Sequence, residues 1–522
     1  MSVETASLRH APLQAPAQAG LMTTLLKWVV ALAIGLGVLW VVFSIYAAGQ
    51  PIWALGVLAL FGLGFYVYLS TANHAYRYLY PGVAAMLVFV AFPLFYTASI
   101  GFTNYSSAHL LSEQRARAYL LDQSWPVEST VMDMTVHAQG NAVRLLLRAR
   151  TSEQLFATPI LAQEATGVVA LEPAPALDTL GAPLEMRQVI QKRDQLMRLQ
   201  LKQADGVILS YAGLREFAVV NPLWKAGPDG ALVSAETGTR YLPNRQTGFF
   251  ESDTGERLSP GFTVGVGLDN YARMINDPDF RGPFLSIFVW TVAFSALTVA
   301  FTVAVGLPLA VLLNWEALRF RTVYRTLVFL PYAVPAFISI LVFKGLFNQN
   351  FGEINTILHS LFGVRPAWFA DPMLAKIMIL IVNTWLGYPY IMILCSGLMK
   401  AIPSDLYEAS ALAGAGPLTN FFKITAPLII KPLTPLLITV FAFNFNNFVV
   451  IALLTDGRPD FLNTKVPAGQ TDILVSYTYR LAFQDTGQNF GLAAAVSTVI
   501  FFMIALMSIA NLRLAKVNAQ TK

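Results

Sequence analysis

The stretch FLSIFVWTVAFSALTVAFTVAVGLPLAVLL, residues 284–313, contains no Asp, Glu, Lys or Arg. A helix rises 1.5 Å per residue, so about 20 apolar residues cross a hydrocarbon core roughly 30 Å thick. This run is long enough to span and too long for an ordinary buried helix. Seven further stretches read the same way: 27–47, 53–69, 81–100, 327–347, 377–399, 433–454 and 490–511, with Gln50-Pro51 as the turn between the first two. Composition agrees. Of the 522 residues 55% are hydrophobic and only 12% charged, about half the charge of a soluble domain. That shortage rules out a disordered chain and argues strongly against a purely soluble globule. The first apolar run starts late and leads straight into a second, so it reads as a retained anchor rather than a cleaved signal.

Lys and Arg set the orientation. Arg9 and Lys27, then Arg77, then Arg319, Arg321 and Arg325, then Lys400, Lys423 and Lys431, and finally Arg513, Lys516 and Lys522 all fall on one side of eight spans. The loop carrying Arg458, Lys465 and Arg480 breaks the pattern. The bias places both termini in the cytoplasm. Residues 104–282, between spans three and four, are polar and long enough to be a domain on the opposite face. The alternating runs at 142–147 (AVRLLL) and 206–209 (GVIL) predict strands, and 184–203 has helical periodicity. The expected fold is an all-α polytopic membrane protein of eight transmembrane helices, with a large external β-rich domain inserted between helices three and four. Its parts are a cytoplasmic tail 1–26, helices one to three in 27–103, the insertion 104–282, a core of helices four to eight in 283–511, and a cytoplasmic tail 512–522.

Enzyme and motor signatures are missing. The chain has no GxxxxGK[ST] phosphate loop and no HExxH, CxxC or GxSxG motif. Five histidines are scattered without metal spacing, and the lone Cys395 lies in an apolar run. The span interiors are nearly free of ionisable groups, which argues against ion coupling. A transporter built this way takes its energy from a partner.

Two regions carry polar chemistry. The loop 400–431 reads KAIPSDLYEASALAGAGPLTNFFKITAPLIIK. Ser404 or Asp405 can cap a short helix, and Gly414 and Gly416 then break it before Pro417. Small residues on that helix let another protein approach closely. In span seven, Asn444, Asn446 and Asn447 interrupt an apolar run. Buried amides need partners, and Asn444 and Asn447, three apart, share a helix face. Asn383, Leu386, Gly387 and Tyr390 form one face of span six. Amides both donate and accept, as a sugar hydroxyl requires. Tyr390 offers a ring to a sugar's C–H face, and Gly387 leaves room for close approach. Bonding of the amides to neighbouring helices is the competing reading. Asn446 points away from the other two. Pro331 and Pro335 predict a kink or break in span five.

The 400–431 segment resembles the EAA loop of ABC-importer membrane subunits, through Glu408, Ala409, Gly414, Ile424 and Pro427. It departs at Ser410, Ala413 and Ala426. LPYAVPAFISILVFKGLFNQNFGEIN, VNTWLGYPY and FAFNFNNF are similar to the MalF-type subunit of maltose/maltodextrin importers. That resemblance implies an Ig-like insertion and an inner-membrane location. It also implies a MalG-like second permease subunit, a MalK-like ATPase dimer gripping Glu408, Ala409, Ser410 and Gly414, and a periplasmic sugar-binding protein. ATP and Mg would sit on the partners, with no cofactor on this chain. The sugar site it implies is Asn383, Leu386, Gly387, Tyr390, Asn444 and Asn447, for a maltooligosaccharide. Val440 stands where the family has a Ser, which bears on sugar preference. Membrane lipid is an expected partner and nucleic acid is not. Another neutral sugar or polyol as cargo, or a membrane-anchored scaffold or receptor, are the alternatives.

Overall fold

A computed structural model describes residues 21–520 except 71–73, 141, 163–164, 166, 175–181, 463, 465 and 486. Residues 1–20 with Arg9, and also Lys465 and Lys522, lie outside these. The described residues divide into two compact units, 1–96 and 97–522.

In the first unit, helices Leu21–Ala47 and Pro51–Leu69 pack together across the expected Gln50-Pro51 turn, where Pro51 opens the second helix. The next helix starts at His74 and passes through a π-helical turn, Leu87–Ala91. Gly64 makes room for Tyr80. A Cβ at that position would lie 2.7 Å from the Tyr80 hydroxyl, which donates to the Leu60 carbonyl at 2.7 Å.

The second unit holds the insertion and the remaining helices. The insertion is β-rich and has two cores. Eight strands form one sheet, antiparallel except where Gly167–Ala170 runs parallel to Leu199–Lys202. Its centre is the register of Met132–Gln139 against Ala142–Ala149, whose alternate apolar residues Met134, Val136, Leu145 and Leu147 are buried. The second core belongs to a five-stranded meander from Trp224 to Leu258 that buries Tyr241, Phe250 and Phe262 with Leu120 of the Glu113–Leu121 helix. The periodicity at 184–203 misled. The chain forms two short helices, Met186–Gln191 and Arg193–Met197, and then returns to the sheet as Leu199–Lys202. The alternation of Leu199 and Leu201, both buried, wins over helical spacing.

The insertion's two ends lie side by side. Thr103 bridges Gly265, the Asn104 amide donates to the Val264 carbonyl, and the Val266 amide donates to the Phe102 carbonyl. Buried Asn270 donates to the carbonyls of Gly101 and Thr103 at 2.9 and 2.8 Å.

Seven described helices are long and apolar enough to cross a membrane. The eighth expected span, 327–347, is the exception. It breaks at Val334-Pro335 into Leu330–Ala333 and the shorter apolar helix Ala336–Leu346, since proline supplies no N–H to the ladder. Span seven also ends early. The helix Ala426–Phe445 stops before Asn446 and Asn447, and a separate helix, Phe448–Leu454, follows. Pro278–Asn314 and Pro372–Met399 pack closely against each other. A Cβ at Gly306 would sit 3.0 Å from both the Tyr388 carbonyl oxygen and the Met392 nitrogen, so the two backbones touch there.

The loop between Leu454 and Leu474 is held by a buried ion pair. Arg480 bonds Asp472 at 3.0 Å and Asp460 at 2.6 Å. Ser476 and the Gly469 amide also donate to Asp472, at 2.7 and 2.8 Å. Burial pushes the Asp472 carboxyl up to about 6, and the Arg480 charge with these donors keeps it from rising further. At neutral pH the pair is ionised.

Candidate substrate cavity and coupling loop

A cavity of about 660 Å3 opens between the helices of the second unit. Its walls come from Pro278–Asn314 (Thr298, Thr302), Pro372–Met399, the end of Ala426–Phe445, and the proline-broken segment with Pro331, Tyr332 and Pro335. All six residues singled out in the sequence, Asn383, Leu386, Gly387, Tyr390, Asn444 and Asn447, line it. No charged side chain does so among the described residues.

The amides meet by a route the sequence did not reveal. Asn444 and Asn447 do not share a helix face, because the helix ends at Phe445. Three asparagines in four positions compete for the backbone and favour a turn. The turn swings Asn447 back, so that its side chain donates to Asn383 Oδ1 at 3.1 Å. Asn383 in turn donates to Asn444 Oδ1 at 2.7 Å and to Thr298 Oγ1 at 3.1 Å. Asn444 donates to the Val440 carbonyl at 2.8 Å. Bonding to neighbouring helices, the competing reading of these amides, therefore holds, and it holds at the cavity wall. One amide hydrogen each of Asn444 and Asn447 has no partner among the described residues. Asn446 faces a separate cleft with Thr478 and Ser497.

Gly387 works differently from expected. A Cβ there would lie 2.8 Å from the Thr302 methyl carbon. The missing side chain admits the neighbouring helix, beside whatever it leaves for a ligand. Tyr390 is 39% exposed and lines the cavity. Val440 lines the wall with an apolar side chain.

Sequence reasoning missed Thr298 and Thr302. The signal was there: Thr291, Ser295, Thr298 and Thr302 recur every three or four residues along one span, and all four are buried. Such a stripe of hydroxyls marks the face toward other helices.

The second polar region folds as a helix, Asp405–Leu412, a turn with Gly414 at φ +74°, and a rising helix from Pro417. The left-handed conformation at Gly414 lets the Ala415 amide reach the Ser410 carbonyl at 3.0 Å. Neither expected cap is made: Ser404 is itself helical and its side chain caps no amide. The helix is tied down from its other face. Tyr407 bonds Thr425 at 2.9 Å, and Ser410 hydrogen-bonds Asn420. Glu408, Ala409 and Gly414 are exposed, as are Leu412 and Leu418, at 92% and 74%.

Comparison with known proteins gives these two regions a context. Residues 111–267 match the maltose transport system permease protein MalF P2 domain, and residues 302–517 match the binding-protein-dependent transport system inner membrane component. The maltose/maltodextrin transport system permease protein MalF of Yersinia pestis is 49% identical over 502 residues, which cover 94% of each chain. The chain belongs to the MalF family. The MalF of Escherichia coli K12 is also 49% identical, over 94% of this chain and 97% of its own length, and that of Salmonella typhimurium is 47% identical over 500 residues. As a MalF-family permease the chain is an inner-membrane transport subunit rather than an enzyme. Its insertion is the family's P2 domain.

Proposed function

We propose that this chain is the pore-lining subunit of an ATP-driven importer and passes maltose or maltodextrin through the cavity bounded by Asn383, Tyr390, Asn444 and Asn447. The observation that carries this reading is the cavity, free of charged side chains among the described residues, whose wall holds a cluster of amides with an aromatic residue alongside. Amide donors and acceptors match sugar hydroxyls, and a ring face matches sugar C–H groups. Leu386 and Val440 provide apolar contact.

Energy comes from outside the chain. The exposed helix around Glu408 and Ala409, with Leu412 and Leu418 beside it, is the seat for a MalK-like ATPase dimer carrying ATP and Mg. A MalG-like subunit completes the pore. The termini face the cytoplasm, and the P2 domain faces the periplasmic sugar-binding protein.

The test is uptake of radiolabelled maltose and maltotriose by proteoliposomes containing the assembled complex and binding protein. Tyr390→Ala is expected to lower uptake on the order of tenfold, from lost stacking and burial worth about 1.5 kcal/mol, with assembly intact. Unchanged uptake in that variant removes the site. Glu408→Lys is expected to break the link between hydrolysis and uptake. Normal coupling there removes the docking role.

A further inference from the structure

The turn after Ala426–Phe445 spends two of its asparagines on the cavity wall and leaves Asn446 unspent. The Asn446 backbone is satisfied: its N–H donates to the Phe443 carbonyl at 3.2 Å, and its carbonyl accepts from the Phe448 amide at 2.8 Å. The side chain is exposed and makes no hydrogen bond among the described residues. It lines a cleft of about 400 Å3 with Val475 and Thr478 of Leu474–Phe483 and with Ser497, Phe501 and Ile504 of Phe490–Gln520. The last three share one face of the final span. Ser497 also lacks a partner among the described residues. Thr478 donates to the Leu474 carbonyl at 2.7 Å, which leaves its oxygen able to accept. No charged side chain lines the cleft among the described residues.

Depth decides what can fill it. The final span, Phe490–Arg513, has 24 residues, about 36 Å of helix. Ser497 lies about 10 Å along it from Phe490, so it falls inside a hydrocarbon layer roughly 30 Å thick wherever that layer sits on the span. Acyl chains form no hydrogen bonds, and an unsatisfied amide among them is costly. A polar side chain carried in by a helix of another subunit removes that cost. Val475, Phe501 and Ile504 offer the same helix an apolar bed.

We propose that this cleft seats a transmembrane helix of the second permease subunit, which places an uncharged polar side chain between Asn446 and Ser497. The proposal rests on the reading of this chain as one part of a two-subunit pore. Asn446 brings two N–H donors and a carbonyl, and Ser497 brings a hydroxyl that gives and takes, so an incoming amide or hydroxyl satisfies both. A charged group would be buried there without a counter-ion. The three-asparagine turn then serves two surfaces: Asn444 and Asn447 line the cavity, and Asn446 holds the neighbouring subunit beside it.

The test co-expresses an affinity-tagged chain with the second permease subunit and the ATPase, extracts the complex in detergent, and measures second permease subunit recovered per tagged chain. Asn446→Leu and Asn446→Ala are each expected to lower that ratio by roughly two- to tenfold, the loss of one net hydrogen bond. The yield of tagged chain is expected to stay unchanged, because the Asn446 side chain bonds nothing in its own chain. Ser497→Ala is expected to lower the ratio about twofold. The alanine form separates lost bonding from added bulk, and if the Leu form fails to accumulate the two alanine forms decide. A ratio unchanged or raised in the Asn446 forms places that side chain against lipid or water and overturns the proposal. A fall in the Asn446 forms with none in Ser497→Ala traces the effect to the turn and overturns it too. If the parent chain itself recovers no second permease subunit, the two-subunit reading fails and the proposal with it.

Discussion

Two of the polar clusters buried in the second unit are built on opposite principles. Around Asn383 every member is neutral, every bond joins dipoles, and the cluster forms the wall of a cavity. Around Arg480 the members are charged, the guanidinium reaches two carboxylates, and Asp472 is wholly inaccessible. A dipole pair in a low-dielectric interior can be exchanged for a similar pair with a ligand at small net cost. An ion pair cannot, because separating the charges leaves each one desolvated. The first cluster is thus suited to being opened and remade with each transport cycle. The second is suited to holding a loop in one place while that happens.

The comparison breaks most visibly at the ion pair. Arg480→Ala leaves Asp472 buried without its cation, to stay a desolvated carboxylate or take up a proton, and is expected to cost about 3–5 kcal/mol, seen as loss of folded protein after detergent extraction and a large fall in thermal midpoint. Combining Arg480→Met with Asp472→Leu is expected to recover most of that loss, because it removes both charges. A double variant as unstable as the single one would assign the loop's stability to shape instead.

At the amide cluster the expected outcome is reversed. Asn383→Ala is expected to change the thermal midpoint little, since Asn444 and Asn447 can turn to water in the cavity, with a cost of about 1 kcal/mol. Transport at saturating sugar is expected to drop on the order of tenfold, the three hydrogen bonds made by Asn383 being lost. Asn444→Ala is expected to behave alike. A variant that unfolds without transporting less per folded complex would merge the two clusters into one class.

The smallest effect belongs on the P2 surface, where Glu251 accepts from Asn244 and Thr247 and pairs with Arg257 at 2.8 Å. Hydrogen bonds from Asn244 and Thr247 hold its carboxyl below the usual glutamate range, with Arg257 adding to the effect. For a depressed acid the unfolded chain binds more protons as pH falls, so the stabilisation is present above the ordinary pKa of about 4.3 and is lost as pH falls through the folded value. Glu251→Gln is therefore expected to lower the thermal midpoint slightly at pH 7 and to match the parent near pH 3. An equal gap at both pH values would mean that charge plays no part.

Much of this molecule was legible because lipid leaves a strong trace in sequence. Runs such as 284–313 can hardly be anything but spans, and an asparagine in such a run demands a partner. The identity of the partner was not legible. Periodicity assumes an unbroken helix, so it paired Asn444 with Asn447 across a helix that stops at Phe445. At Gly387 the pattern showed the gap in the helix face but not that the Thr302 methyl of a neighbouring helix packs into part of it. Pro331 and Pro335 announced a break but not that the broken segment would wall the cavity. In the insertion, where one face of each strand meets water, Leu199 and Leu201 carried the strand signal inside a stretch whose charge spacing looked helical. Thr298 was passed over because a threonine in an apolar run can satisfy its hydroxyl on its own backbone, as Thr302 does toward the Thr298 carbonyl at 2.8 Å.

Because Thr103 and Gly265 are neighbours, the chain leaves and re-enters the helical region at almost one point. The P2 domain is, in genetic terms, a cassette. A short hairpin could replace it without moving either flanking helix, and a different recognition module could be spliced in at the same two residues. A lineage holding this arrangement can acquire, enlarge or discard its external domain in a single event and keep its conduit unaltered.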